Sequence, residues 1–149
     1  MKGVSIVSAK VFGIDFGTST IKIYRKNEGV IFDEKNIIAL CNGAVMAIGD
    51  EAFEMLRKAP DNFLVTYPVK NGVIADIANM LALLNDAFKV VADKTGKITG
   101  ADIIVAAPTD VTEVEKRAFF DLAKNSIAKP KKVRVVEKPI ADAIGSGLD

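Results

Sequence analysis

With 149 residues, half of them hydrophobic, the chain has the length of one ordinary domain or a compact pair of subdomains and is too apolar to be disordered. Its 20 basic and 19 acidic residues leave a net charge of +1, which argues against a general nucleic-acid binder. One cysteine, Cys41, and no histidine exclude an internal disulfide and a structural zinc site, remove the commonest general base, and fit a reducing compartment.

Residues 4–9 form too short an apolar run for a signal peptide, and no run approaches the length of a membrane span. The N-terminal stretch shows no basic amphipathic pattern, so membrane contact finds no support in the sequence. The expectation is a soluble, cytoplasmic chain.

The stretch VFGIDFGTSTIKIY, residues 11–24, predicts a β-hairpin with strands over 11–16 and 21–26. Its turn is suited to a phosphate. Gly17 allows a sharp bend and close approach to a ligand. Successive backbone N–H groups, with the hydroxyls of Thr18, Ser19 and Thr20, would line one concavity, as in an anion-binding nest. Asp15 would face the same concavity, and a carboxylate beside phosphates implies Mg²⁺ between them, held directly or through water. Lys22 would add a point charge for a phosphate oxygen. The turn alone fits a polar hairpin with nothing bound equally well.

A third strand is expected from Gly29, then a strand-like run over 37–40, an Asn42-Gly43 hairpin turn and a returning strand over 45–48. A short helix over 50–58 would place Phe53 and Leu56 on one face before Pro60 ends it. The weak periodicity of 34–71 suggests an inserted satellite subdomain. Phe63, Leu64 and Tyr67 are expected in its core rather than on a partner surface.

Asn71-Gly72 is a second turn, and Asp76 is an N-cap. It opens a helix to about residue 92 with Ile77, Met80, Leu81, Leu84, Ala87, Phe88 and Val91 on one stripe. Residues 102–107 read as a strand buried on both faces. Thr112 and Glu115 form a capping box for a helix to about residue 127, with Val114, Ala118, Phe119, Leu122 and Ala123 buried. A strand over 133–136 and a last helix over 140–145, opened by Pro139, complete the order. This alternation implies an α/β layer fold with parallel strands. Lys124, Lys129, Lys131, Lys132 and Arg134 read as a solvated loop edge. The acidity of Asp110 and Glu113 is explained by the helix start as well as by a cleft.

Four segments together resemble the actin-like ATPase superfamily, most closely its bacterial MreB branch: GIDFGTST (13–20), NGVIADI (71–77), PTDVTEVEKRA (108–118) and VEKPIADAIGSGLD (136–149). They span nearly the whole chain in the right order, and they are also similar to the heat-shock chaperone ATPase domain. The resemblance implies actin-like ATPase domain I, α/β in class. It has a ribonuclease-H-like core, a mixed sheet with flanking helices and a small inserted subdomain. Residues 1–33 and 72–149 would be the subdomain IA core and 34–71 subdomain IB. Asp15, Gly17, Thr18, Ser19 and Lys22 would sit on the phosphates of ATP and its Mg²⁺. A lysine at position 22 is more typical of actin and plasmid-segregation filament proteins than of the MreB branch.

Two departures qualify the activity that the resemblance implies. The family places a glutamate that orients the attacking water just before the proline of the linking helix, and here that position is Lys138. A charged lysine cannot accept a proton, so no catalytic residue is assigned and weak or absent hydrolysis is expected. Glu137, one residue earlier, should point elsewhere. In addition, the sequence stops at Asp149, where the family continues into a second phosphate loop and a second domain. One wall of a cleft should hold ATP poorly. The expected role is an MreB-like cell-shape or cytoskeletal protein, or a half-length relative, that partners itself or a full-length actin-like filament protein. Alternatives are a nucleotide-independent interaction module regulating such a filament protein, or a fragment of a sugar-kinase-like phosphotransferase.

Overall fold

Residues 10–138 are described by the computed structural model. The chain begins with β1 (Val11–Phe16), β2 (Thr20–Arg25) and β3 (Gly29–Lys35). A smaller unit follows: β4 (Ile38–Cys41), β5 (Ala44–Ile48), α1 (Gly49–Met55) and β6 (Phe63–Thr66). Next come β7 (Val69–Lys70), β8 (Val73–Ile74) and α2 (Ile77–Thr95), then β9 (Asp102–Ala107), α3 (Glu113–Lys124) and β10 (Lys132–Glu137). The last helix expected from the sequence lies outside the described residues.

Strict alternation in β1 sets the main layer. Phe12, Ile14 and Phe16 are buried on one face, and Ile21 and Ile23 of β2 continue that face across an antiparallel pairing. On the other side, β9 runs parallel to β1, and β10 runs parallel to β9. The result is one five-stranded mixed sheet in the order β10-β9-β1-β2-β3. β9 has the continuous apolar run expected of an inner parallel strand.

Two helices close the buried face. Phe88 of α2 meets Phe12 edge-on, with centroids 6.0 Å apart. Phe119 of α3 stacks on Phe16 at 5.9 Å. Asp76 caps α2 by accepting from the Asn79 amide. Thr112 and Glu115 form the expected capping box on α3. The carboxamide of Asn85 accepts from the Ile127 amide and fastens α2 to the turn after α3.

The small sheet, β5-β4-β6, has its own apolar cluster of Ile37, Ala39, Ala47 and Ala52. Alternate residues Ile38 and Leu40 of β4 join the main core, so β4 faces two cores at once. Both Asn-Gly turns have the left-handed geometry of a two-residue hairpin, with φ of 51° and 82° at Asn42-Gly43 and 54° and 78° at Asn71-Gly72.

Several side chains lie elsewhere than the sequence pattern suggests. Val114 is 81% exposed, because it lies about 130° round α3 from the face made by Phe119, Leu122 and Ala123. Ile77 is also exposed, and Leu83 takes part in the buried stripe of α2 in its place. Ile77 and Leu81 form the shoulder of that stripe and line a groove with Ala118, Asp121 and Leu122 of α3 and its C-cap Asn125. In α1 the buried side chain is Ala52, which leaves Phe53 and Leu56 exposed. Leu64 is exposed as well, because β6 is an edge strand of a sheet only three strands wide, whereas Phe63 and Tyr67 are half-buried.

Candidate functional site

The strands β1, β9 and β10 are parallel, so their carboxyl ends share one edge of the sheet, the edge where ligands gather in open α/β folds. Asp15 is the penultimate residue of β1. It faces away from the buried helices, because its neighbours Ile14 and Phe16 face toward them. Register extends its row across the sheet: Lys22 lies opposite on β2 with Asp33 beyond, and Ala106 lies opposite on β9 with Val136 of β10 beyond. Lys138, two residues past Val136, falls on the same face, and Glu137 falls on the opposite one.

The ammonium of Lys138 stands 3.1 Å from Oδ1 of Asp15. The two side chains are 35% and 29% exposed. Oδ1 itself is buried and accepts no hydrogen bond among the described residues, so the ammonium meets it as a charge and not along a hydrogen-bond direction. Lys22 is the direct cross-strand neighbour of Asp15. Yet no described ion pair within 4.0 Å joins it to Asp15 or Asp33.

After β1 the chain turns through Gly17, Thr18 and Ser19. The Gly17 amide donates to the Thr20 carbonyl at 2.9 Å and closes the loop. A Cβ at Gly17 would lie 2.6 Å from that carbonyl oxygen, so glycine is required by the loop's own close approach. Thr18 Oγ1 accepts from the Gly72 amide at 3.1 Å, tying the loop to the β7–β8 hairpin. Thr18 and Ser19 are exposed. Their amides donate to no protein group among the described residues, which leaves two adjacent N–H groups without a partner.

Asn36 carries no sequence motif that marks it as a site residue. It is fully buried, its Nδ2 donates to the Gly17 carbonyl at 2.9 Å, and its amide donates to the Ser19 carbonyl at 2.9 Å. It therefore holds two of the turn's three peptide carbonyls, those of Gly17 and Ser19, while its Oδ1 has no partner among the described residues. The one local signal was an uncharged polar residue just before the apolar run at 37–40, and such a residue reads as a boundary. Glu113 pairs with Lys116 and Asp110 is exposed, so both behave as helix-start acids. Lys124, Lys129, Lys131, Lys132 and Arg134 are all exposed.

Among the described residues no group of three or more acidic, cysteine or histidine side chains converges on a metal position, and no helix is long and apolar enough to cross a membrane.

A mixed five-stranded sheet with two helices packed on one face and a small second sheet is the architecture of an actin-like ATPase domain, as the structural matches show. The structure superimposes on MreB5 of Spiroplasma citri bound to ADP with a TM-score of 0.80 and 26% identity, covering 95% of this chain and 42% of that one. The MamK double helical filament shares the fold at a TM-score of 0.74 and 20% identity, covering 93% of this chain and 44% of that one. The sequence matches the MreB/Mbl protein family over residues 9–149, and the chain belongs to that family. It is 34% identical over 143 residues to the cell shape-determining protein Mbl of Bacillus subtilis (strain 168), covering 95% of this chain and 42% of the relative. With the cell shape-determining protein MreB of Escherichia coli (strain K12) it shares 33% over 141 residues, covering 91% and 40%. The chain thus spans about two-fifths of the length of these relatives.

Proposed function

We propose that this chain forms the first domain of an actin-like cell-shape filament protein and meets ATP through the turn at 15–22. On this reading 1–33 and 72–149 form subdomain IA, and 34–71 form the small subdomain IB. The segregation of β4, β5 and β6 into their own sheet supports the division. The observation that carries the nucleotide reading is the turn itself. Its Gly17 and Ser19 carbonyls are tied back to Asn36, and the amides of Thr18 and Ser19, both exposed residues, are left without a protein partner among the described residues at the carboxyl edge of the sheet. Lys22 supplies positive charge beside them. Lys138 offers no proton acceptor for an attacking water, so the domain turns ATP over weakly or not at all by itself. Its partners are further copies of an actin-like chain. The family membership and the filament formed by MamK, which shares the fold, support self-association by analogy.

The test is a calorimetric titration of ATP into the purified chain, with and without magnesium, beside Gly17→Ala. Binding tighter than roughly 1 mM that the variant abolishes supports the reading. No heat in either condition refutes nucleotide contact. It would favour the nucleotide-independent interaction module, a reading that the occupied Asp15 carboxylate also suits.

A further inference from the structure

The carboxylate expected to hold a divalent ion already has a cation on it. Oδ1 of Asp15 is buried, and among the described residues the charged group paired with it is the Lys138 ammonium at 3.1 Å. Lys138 is anchored for this contact by the sheet. β10 is paired to β9 along its whole length, from Lys132 opposite Asp102 to Glu137 opposite Ala107, and the next residue projects on the Asp15 face. Lys22 stands on the other flank of Asp15. Asp15, Lys22 and Lys138 together carry one negative and two positive charges. A divalent ion binding Asp15 would lie beside two like charges, with no second carboxylate converging on it among the described residues. Mg²⁺ therefore does not fit this arrangement while Lys138 stays in place.

We propose that the Lys138 ammonium is the resident cation of the site and excludes divalent ions from Asp15. Resting on the nucleotide reading above, the consequence is that the turn binds polyphosphate without a metal, drawn by the two lysines and the free amides of Thr18 and Ser19. Lys138 is then a positioning and specificity residue: it makes nucleotide binding at the turn independent of magnesium.

Two measurements on the full chain test this. In the first, Mn²⁺ is titrated into ¹⁵N-labelled wild type, Lys138→Gln and Lys138→Glu, and broadening of the Asp15 and Gly17 amides is followed. The dispersion of each spectrum shows that the variant is folded. We expect the wild-type turn to stay sharp where Lys138→Glu is broadened, with at least a roughly tenfold difference in the Mn²⁺ concentration required and Lys138→Gln between. Equal broadening of wild type and Lys138→Glu overturns the proposal. In the second, ATP affinity is measured with magnesium and with EDTA. Wild type should differ by less than about twofold, whereas Lys138→Glu should lose about tenfold or more without magnesium. A wild type that binds ATP only with magnesium also overturns it. If ATP binds in neither condition, the nucleotide reading falls, and the Mn²⁺ titration still decides whether Lys138 excludes the ion.

Discussion

Replacing Asn36 by Asp tests how the turn is held. The exchange keeps the shape of the side chain but turns the donor that faces the Gly17 carbonyl into an acceptor. That carbonyl is 2.9 Å away, and the site is wholly buried. An ionised carboxylate there would confront a carbonyl oxygen without solvent, so the cheaper folded state is the neutral acid, whose O–H can donate to Gly17 in place of the amide. Keeping an aspartic acid protonated against an ordinary value near about 3.9 costs about 1.36 kcal/mol per pH unit. The variant should therefore be less stable than wild type by about 4 kcal/mol at pH 7 and by about 1.5 kcal/mol at pH 5. The sign follows from linkage. The folded state binds a proton that the unfolded chain has released, so the deficit opens above about pH 4 and widens as pH rises. Urea unfolding of both proteins at the two pH values, followed by circular dichroism, measures it, and titrations common to both chains cancel in the difference. For a chain of this size the pH 7 deficit corresponds to a melting point lowered by about 8–16 °C. A deficit below about 1 kcal/mol at pH 7, or one equal at both pH values, would refute the placement of Asn36 beneath the turn.

Gly17→Ala puts a methyl group 2.6 Å from the Thr20 carbonyl oxygen, and the overpacking should cost about 1–3 kcal/mol. Thermal unfolding reads the loss, and a melting point within about 1 °C of wild type would mean that the carbonyl has room to yield. Phe88→Ala empties the contact between α2 and Phe12 and should cost about 3–5 kcal/mol in urea unfolding. Leu64→Ala, at a side chain 56% exposed, should stay within about 0.5 kcal/mol, so comparable losses at the two sites would contradict the described core.

The parts of the fold that were legible in the sequence are those whose causes lie within a few residues. The first hairpin, both Asn-Gly turns, the Asp76 cap, the Thr112–Glu115 capping box and the run at 102–107 all fall where local chemistry puts them. Side chains went astray where a distant element decides which side of a helix or strand is covered. Val114 suits an apolar stripe by composition, yet the direction of β9 and β10 beneath α3 turns it to solvent. Leu64 suits a core strand until β6 proves to be an edge. The turn at 17–20 was readable from its own residues, but what holds it was not. Asn36 reaches it across the β2–β3 hairpin, and Lys138 reaches Asp15 from the far end of the described chain through two parallel pairings. Position 138 stood out as a lysine where the resemblance implies a glutamate. Nothing near it in sequence reveals the carboxylate that it contacts.

Asn36 is also the first of the two residues that join the large sheet, ending at Lys35, to the small one, beginning at Ile38; the second, Ile37, belongs to the small cluster. Its two hydrogen bonds to the turn are thus made from the connection between the sheets. One residue thus ties three parts of the chain, the phosphate-type turn and the two sheets, so a substitution at Asn36 bears on all of them at once.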